Sequence, residues 1–286
     1  MGKLVTMNEM LADAEERGYA VGAFNVNDLT GVQAVAQAAE EERSPVIIQI
    51  YSGGIELIGI QYIRAMVEAA ARSVSVPVAL HLDHGRDLET VETCVRGGFT
   101  SVMMDGSRLP LDENIEVSRK AAEMAHAAGI SAEAELGRVG SGSEEPSEED
   151  RRKFMTNPEE ARRFVDETGV DALAVAIGSA HGLYKFQPKL DFDLLKEIRK
   201  TVNVRLVLHG GSDLPEDQIR RAVQLGITKV NVATDLTVAY TRALREVVAR
   251  NEGIIWSGRV FNATREAIKE VARAKIQLFG SSGKVE

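Results

Sequence analysis

Cysteine is almost absent from the sequence, since Cys94 is the only one among 286 residues. A single thiol excludes an internal disulfide and a metal site made wholly of cysteines within one chain. The sequence also lacks a run of the roughly 18 apolar residues that a membrane span needs, and its first residues lack the apolar core of a signal peptide. We therefore expect a cytoplasmic protein with no membrane partner.

Positive charge is also scarce, with 34 lysines and arginines against 43 aspartates and glutamates and a net charge of −9. The basic residues do not cluster on one stretch, so the composition disfavours a nucleic-acid partner. Any phosphate group must then be bound by local features of the fold. Hydrophobic residues make up 44% of the chain, which is ordinary for a globular protein with a substantial core.

What the sequence does have is a regular alternation of short apolar runs and amphipathic segments of helical length. The eight apolar runs are 21–24, 46–51, 78–82, 101–104, 131–134, 173–177, 206–208 and 229–232. The segments with apolar residues at three-to-four spacing are 31–42, 63–73, 88–96, 114–128, 158–167, 192–200, 215–224 and 235–250.

Runs that are apolar on both faces are typical of strands in a parallel sheet covered by helices. Eight strand–helix units close naturally into a barrel, so we predict an α/β fold, a single (β/α)8 TIM barrel over residues 1–286. An extra helix at 7–17 and a C-terminal helix at 265–279 would flank it. An open, doubly wound sheet is the alternative.

One stretch interrupts the alternation. Residues 137–157 read GRVGSGSEEPSEEDRRKFMTN, which is polar, rich in glycine and serine, and long for a connection between a strand and a helix. Long loops without secondary structure are usually lids or binding loops, although a solvated insertion is the simpler alternative. We predict a mobile active-site loop here.

Histidines concentrate at the predicted strand ends. Three of the five, His84, His181 and His209, are each followed by glycine, which leaves room beside the imidazole. Three neutral imidazoles and an open fourth position make a catalytic zinc site. A single histidine at a strand end is more often a hydrogen-bonding or capping group, so the prediction depends on the three together. His81 is interpreted as structural, and His126 falls within a helix.

Carboxylates accompany these histidines. Asp83 directly precedes His84, and we interpret it as the general acid/base; the alternative is that it orients a zinc-bound histidine. Glu135 ends the fifth strand and Asp105 the fourth, so both face the same mouth. They are candidates for a second, weaker metal position or for hydrogen bonds to the histidines, and solvated rim acids are the alternative.

A phosphate site is predicted after the seventh and eighth strands, where barrels commonly bind phosphate. Glycine and serine amides of one turn, and the orphan amides at the start of the next helix, would attract the anion. A Gly-Gly-Ser turn alone is weak support, and its placement strengthens it. The residues are Gly210, Gly211, Ser212, Asn231, Val232, Ala233 and Thr234.

The motifs HLDHG, ELG, AHGLY, LHGGS and NVAT together resemble those of the class II ketose-bisphosphate aldolases, over about residues 21–276. The sequence is most similar to the tagatose-bisphosphate branch. The resemblance implies that His84, His181 and His209 bind catalytic zinc, that Asp83 transfers the proton, and that Glu135 and Asp105 belong to the second metal position. It also implies that glycerone phosphate is bound by Gly182 and the residues of the phosphate site, with Asn25 and Ser52 near that substrate.

Further properties follow from the resemblance. A monovalent cation, Na⁺ or K⁺, would bind near the phosphate loops, and we expect a homodimer or homotetramer. The reaction would be reversible cleavage of a ketose 1,6-bisphosphate, tagatose or fructose type, to glycerone phosphate and an aldehyde such as glyceraldehyde 3-phosphate. Asp83 takes the C4 hydroxyl proton, and a loop glutamate, Glu144 or Glu145, protonates the carbanion equivalent.

The sequence departs from the family in the segment that meets the distal phosphate, the one remote from C1. The family's arginine stands in a DPR segment, whereas this chain reads WSGRVFNATREA, with Arg259 displaced by about one residue. A ketose 1-phosphate with another distal group, a sulfonate or a deoxy-keto acid phosphate, is therefore an alternative substrate. Two other hypotheses are a Schiff-base aldolase using Lys229 or Lys185, and a non-catalytic companion subunit.

Overall fold

The computed structural model describes residues 4–143, 145, 147, 149, 153–250 and 256–286. Eight strands pair in parallel and close into a barrel in the order β1-β10-β9-β7-β5-β4-β3-β2. The barrel strands are β1 Val21–Asn25, β2 Val46–Tyr51, β3 Val78–Gly85, β4 Ser101–Met104, β5 Ser131–Leu136, β7 Ala172–Val175, β9 Arg205–Leu208 and β10 Ile227–Val232. The TIM-barrel prediction is confirmed, and the open sheet is wrong.

Helices connect the strands on the outside of the barrel. They are α1 Met7–Arg17, α2 Leu29–Glu41, α3 Ser52–Ile58, α4 Ile60–Ser73, α5 Leu88–Arg96, α6 Leu111–Ala127, α7 Pro158–Thr168, α8 Phe192–Thr201, α9 Glu216–Gln224, α10 Thr234–Arg250 and α11 Gly258–Leu278. N-cap side chains fix where several helices begin. Those of Asp28, Asp87 and Asn157 accept hydrogen bonds from first-turn amides of α2, α5 and α7. Within the described residues, no helix is long and apolar enough to cross a membrane.

The amino-terminal end of the barrel is closed by α1. Its apolar residues Met7, Met10 and Leu11 form one buried cluster with inward-facing strand residues such as Val21 and Ile47. This apolar cluster fills the amino-terminal end of the barrel interior. The polar interior residues therefore lie toward the carboxyl ends of the strands.

The carboxyl end of β3 is irregular. Successive side chains of a regular strand point to opposite faces, so Asp83 and His84 would diverge. The pairing of β3 with β4 shifts register between Leu82 and Gly85, and His84 adopts a positive φ of 48°. Such bulges re-aim side chains, and here both Asp83 and His84 reach the barrel mouth.

Three short elements were not predicted from the sequence. The short helix α3 follows β2, and two short strands, β6 Gly140–Ser141 and β8 Ala180–His181, form a separate parallel pair. The pair joins the start of the predicted mobile loop to the His181 segment, with the Gly142 amide donating to the His181 carbonyl at 2.7 Å. The end of the loop is also tied down, since the Thr156 hydroxyl donates to the Leu136 carbonyl.

Candidate active site at the barrel mouth

Three imidazoles converge at the carboxyl ends of the strands. His84 ends β3, His181 ends β8, and His209 follows β9. One ring nitrogen of each lies within 4.8 Å of the other two, and Nδ1 of His209 stands 3.1 Å from Nε2 of His84. Remote stretches of the chain are thus brought to a single point.

The protonation of these histidines follows from burial and mutual charge. Burial and the charge of His84 lower the pKa of His209 well below its usual range, and burial lowers the pKa of His181 to about 4. Burial opposes protonation of His84 as well, but the charge of Asp83 and the hydrogen bond with Asp105 raise its pKa to about 10. Without an ion, His84 therefore carries the positive charge of the cluster.

Two carboxylates join His84 in a second group. Asp105 Oδ2 lies 2.7 Å from His84 Nδ1, and Glu135 Oε2 lies 3.5 Å from His209 Nδ1. Burial and the neighbouring Asp105 raise the pKa of Glu135 to about 8. Its Oε2 atom is buried and accepts no hydrogen bond from the described residues.

This donor set fits a divalent cation. Ligands of a tetrahedral zinc, at about 2.0–2.1 Å from the metal, are separated from one another by roughly 3.3 Å. The His209–His84 nitrogen separation is close to this value. The unsatisfied Glu135 oxygen beside the same nitrogens is the kind of buried acceptor that a cation satisfies. Nitrogen and oxygen donors without sulfur suit zinc and other first-row divalent ions.

Asp83 is held by two amides from across the barrel. Its oxygens accept hydrogen bonds from Asn25 Nδ2 at 2.8 Å and from Asn231 Nδ2 at 3.0 Å. Burial disfavours its charge, but His84, His209 and the other neighbouring donors outweigh burial and lower its pKa. At neutral pH Asp83 is therefore an ionised carboxylate beside the histidine cluster, as a proton acceptor must be. Gln49 Nε2 in turn donates to the side-chain oxygen Oδ1 of Asn25 at 2.6 Å.

A buried ion pair lies beneath the cluster and was missed by sequence reasoning. Glu133 Oε1 is 2.9 Å from His209 Nε2, and Glu133 Oε2 is 2.9 Å from Lys229 Nζ. The side chains of all three residues are fully buried. The signal was present in the sequence, because Glu133 and Glu135 alternate along β5 and so share its inner face. The interpretation of His81 as structural agrees with its buried contact to Ser101 at 2.7 Å.

The candidate phosphate loops are partly engaged with each other. The Gly211 amide donates to the Asn231 carbonyl at 2.9 Å, and the Ala233 amide donates to the Ser212 hydroxyl at 3.3 Å. These two amides shape the loop instead of being free for an anion, and the Asn231 side chain turns to Asp83. In the described part of the chain, the amides of Ser212 and Thr234 donate to no acceptor.

Glycine is required in this region for space. Gly210 has a φ of 67°, and a Cβ there would lie 2.3 Å from the Ala180 carbonyl oxygen. Gly182 also has positive φ, with open space where its side chain would be.

Val232 is a buried β10 residue just before the α10 amino terminus. Ser52 uses its hydroxyl to hold the His84 carbonyl and thereby the bend at His84.

The loop glutamates and Arg259, which were also predicted as site residues, are not part of the described histidine cluster. Glu144 lies outside the described residues, whereas Glu145 is exposed on a cavity formed by the loop and the segment before His181. Arg259 is exposed in the first turn of α11, and its amide donates to the Trp256 carbonyl. The structure gives the Arg259 side chain no contact with the histidine cluster. Its predicted role as the distal phosphate ligand has no support from the fold of one chain.

Lys229, one of the two candidate Schiff-base lysines, is not placed for nucleophilic attack. The Lys229 ammonium is paired with Glu133 and donates to Asn231 Oδ1 at 2.7 Å. It is fully buried beneath the histidines, and a Schiff base needs a free amine that reaches the ketone. Lys185 is exposed and lies beyond the β8 segment.

A TIM barrel with histidines and carboxylates converging at its carboxyl end is an enzyme architecture. The family model described as fructose-bisphosphate aldolase class-II matches residues 5–284. The chain belongs to the class II fructose-bisphosphate aldolase family, and it is an aldolase, a lyase.

Solved structures agree with this assignment. The YdjI aldolase from Escherichia coli K12 is 36% identical, with 99% of this chain and 100% of that chain covered at a TM-score of 0.87. Fructose-bisphosphate aldolase from Campylobacter jejuni is 24% identical, with 99% and 97% covered at a TM-score of 0.85, which shows a shared fold. The resemblance stated from the motifs is thus confirmed at the level of the family.

Proposed function

We propose that the chain is a zinc-dependent class II aldolase that reversibly cleaves a ketose 1,6-bisphosphate of the tagatose or fructose type. The products are glycerone phosphate and an aldehyde such as glyceraldehyde 3-phosphate. The observation that carries the proposal is the convergence of His84, His181 and His209 beside an ionised Asp83. Family membership supports the reaction class.

A zinc ion bound by the three histidines would supply Lewis-acid polarisation of the substrate ketone. Asp83 accepts the proton of the C4 hydroxyl, and the electron pair of the C3–C4 bond moves onto C3 as the aldehyde forms. Asn25 and Asn231 hold Asp83 in position for this transfer. A loop glutamate, Glu144 or Glu145, delivers a proton to C3 and completes glycerone phosphate.

Other residues at the barrel mouth supply the phosphate site and the second metal position. The free amides of Ser212, in the turn after β9, and of Thr234, at the amino terminus of α10, bind the C1 phosphate. Glu135 and Asp105 form the second metal position with His84. The monovalent cation, the homodimer or homotetramer and the tagatose branch are predictions from the resemblance alone.

Metal removal tests the proposal directly. We expect purified protein to contain zinc, to cleave fructose or tagatose 1,6-bisphosphate, to lose cleavage in a chelator and to regain it when zinc is restored. Borohydride with substrate is the control, because it traps a Schiff base and leaves a metal-dependent aldolase active. Inactivation by borohydride together with resistance to chelation would contradict the proposal.

A further inference from the structure

Beside the histidine cluster is a cavity of about 310 Å³ that carries two arginines. Its lining includes His84, Asp105, Glu135 and His181 together with Arg108 and Arg138. This volume is at the lower end of the range of about 300–1,000 Å³ for small-molecule sites. The cavity opens onto the proposed reaction centre, and the mechanism above gives no role to its two arginines.

Both arginines are placed by the barrel strands in the same way. Arg108 comes three residues after Asp105 beyond β4, and Arg138 comes three residues after Glu135 beyond β5. The turn at Arg108 is closed by the Leu109 amide, which donates to the Gly106 carbonyl at 2.9 Å.

Arg138 is fixed by the end of the long loop. Its amide donates to the Phe154 carbonyl at 2.7 Å, and its guanidinium lies 5.2 Å from the centre of the Phe154 ring. The loop end is itself held to β5 through Thr156 and Leu136.

The two guanidinium groups have no ion-pair partner among the described residues. Neither makes an ion pair or a hydrogen bond with any residue that the structure describes, although both line a cavity with Asp105 and Glu135. Most described arginines do form ion pairs, namely Arg17, Arg64, Arg72, Arg86, Arg96, Arg119, Arg163, Arg199, Arg205, Arg220, Arg242, Arg250, Arg265 and Arg273. Unpaired positive charge in a protein of net charge −9 suits an anionic ligand.

The order of the strands places the two arginines across the barrel mouth from the start of α10. In the closed ring of eight strands, β4 lies opposite β10, and His84 and His209 reach the space between from β3 and β9. For a ketose whose C1 phosphate lies at the start of α10 and whose carbonyl lies at the histidines, the ends of β4 and β5 lie beyond the histidines from that phosphate. Arg108 and Arg138 are at those two strand ends.

We infer that Arg108 and Arg138 bind an anionic group at the end of the ketose remote from its C1 phosphate. The inference rests on the proposed function and assigns the distal specificity to these residues in place of Arg259. The anionic group is a phosphate or a carboxylate, since a planar guanidinium pairs with either through two parallel hydrogen bonds.

The test measures condensation of glycerone phosphate with three aldehydes that each have a three-carbon chain. These are glyceraldehyde 3-phosphate, tartronate semialdehyde, which ends in a carboxylate, and neutral glyceraldehyde. The variants are Arg108→Gln, Arg138→Gln and the double variant. Arg162→Gln is the matched control, because Arg162 is exposed on α7 and does not line the cavity.

Each arginine variant should lose about 10–100-fold in kcat/KM for an anionic aldehyde, chiefly through KM, which corresponds to the roughly 1.5–3 kcal/mol of a charged hydrogen bond. The value for glyceraldehyde should stay within about twofold, and Arg162→Gln should match the parent with all three. Zinc content and urea unfolding of the variants show whether they are folded. Loss with the phosphate aldehyde alone, or with the carboxylate aldehyde alone, identifies the group that is bound.

Two results overturn the inference while leaving the proposed function intact. One is an equal effect of the arginine variants on all three aldehydes, or no effect, in an enzyme that condenses glyceraldehyde. The other is selective loss of the anionic aldehydes in Arg259→Gln with unchanged Arg108 and Arg138 variants. Failure of the zinc-loaded parent protein to condense any aldehyde would instead contradict the proposed function.

Discussion

The buried pair of Glu133 and Lys229 allows one prediction to be worked out in magnitude. Both side chains are fully buried, with 2.9 Å between Oε2 and Nζ, and Glu133 Oε1 accepts the hydrogen bond from Nε2 of His209. A proton on Nε2 leaves Nδ1 of His209 with a free electron pair, and that nitrogen faces His84. Glu133 therefore sets which nitrogen of His209 is offered to a metal.

Replacing Glu133 by Gln removes a charge but preserves the size of the side chain. It leaves the buried Lys229 ammonium without its charged partner, which costs about 3–5 kcal/mol of unfolding free energy. It also weakens the orientation of His209, and loss of such a supporting contact typically lowers metal affinity by about 10–100-fold. Urea unfolding measures the first effect, and competition with a chromophoric zinc chelator measures the second.

The double variant Glu133→Gln, Lys229→Met distinguishes charge pairing from simple packing. With both charges removed, no buried ion is left unpaired, so the double variant should be more stable than either single variant. Glu246→Gln, in the exposed i,i+4 pair with Arg242, is the control and should have little effect. Single variants that cost less than about 1 kcal/mol and combine additively would refute this account of the interior.

Other predictions concern the proposed reaction centre and its supporting loops. Asp83→Ala should lower cleavage by at least about 10²–10⁴-fold while the protein still binds zinc, and full activity would refute its role in proton transfer. Zinc binding at pH 7 should release protons, because His84 with a pKa of about 10 must become neutral to ligate; calorimetry in buffers of different ionisation enthalpy measures this, and zero release contradicts it. Gly210→Ala should destabilise more than Gly129→Ala by about 1–3 kcal/mol in urea, since both have positive φ but only Gly210 meets a backbone oxygen; equal losses would remove the steric argument.

The sequence predicted the barrel because its signals are local and repeated. All eight predicted strands are confirmed, and the boundaries at β2 and β4 are identical. Helix α1 was also placed at its observed limits. The C-terminal helix is longer than predicted and begins at Gly258, because only its last part carries the regular apolar spacing that buries Ile268, Ala272 and Ile276.

The sequence predicts those site residues whose type and position at a strand end indicate a role. His84, His181 and His209 each stand at a strand end, so their convergence follows from the barrel itself. The alternation of side chains along a regular strand places Asp83 and His84 on opposite faces, so their joint presence at the mouth does not follow from the barrel alone. The bulge in β3 and the positive φ of His84 bring the two side chains to one mouth, and neither has a signal in this sequence.

By itself, then, the sequence determined the alternation of strands and helices, the inward period of two along each strand, and which residues end at the barrel mouth. Only the tertiary structure decided the contacts between strands remote in the chain: Asn25 and Asn231 on Asp83, and Lys229 with Glu133 beneath His209. The physical reason is that a strand's pattern shows which face a side chain takes, whereas its partner depends on how the ring of strands closes.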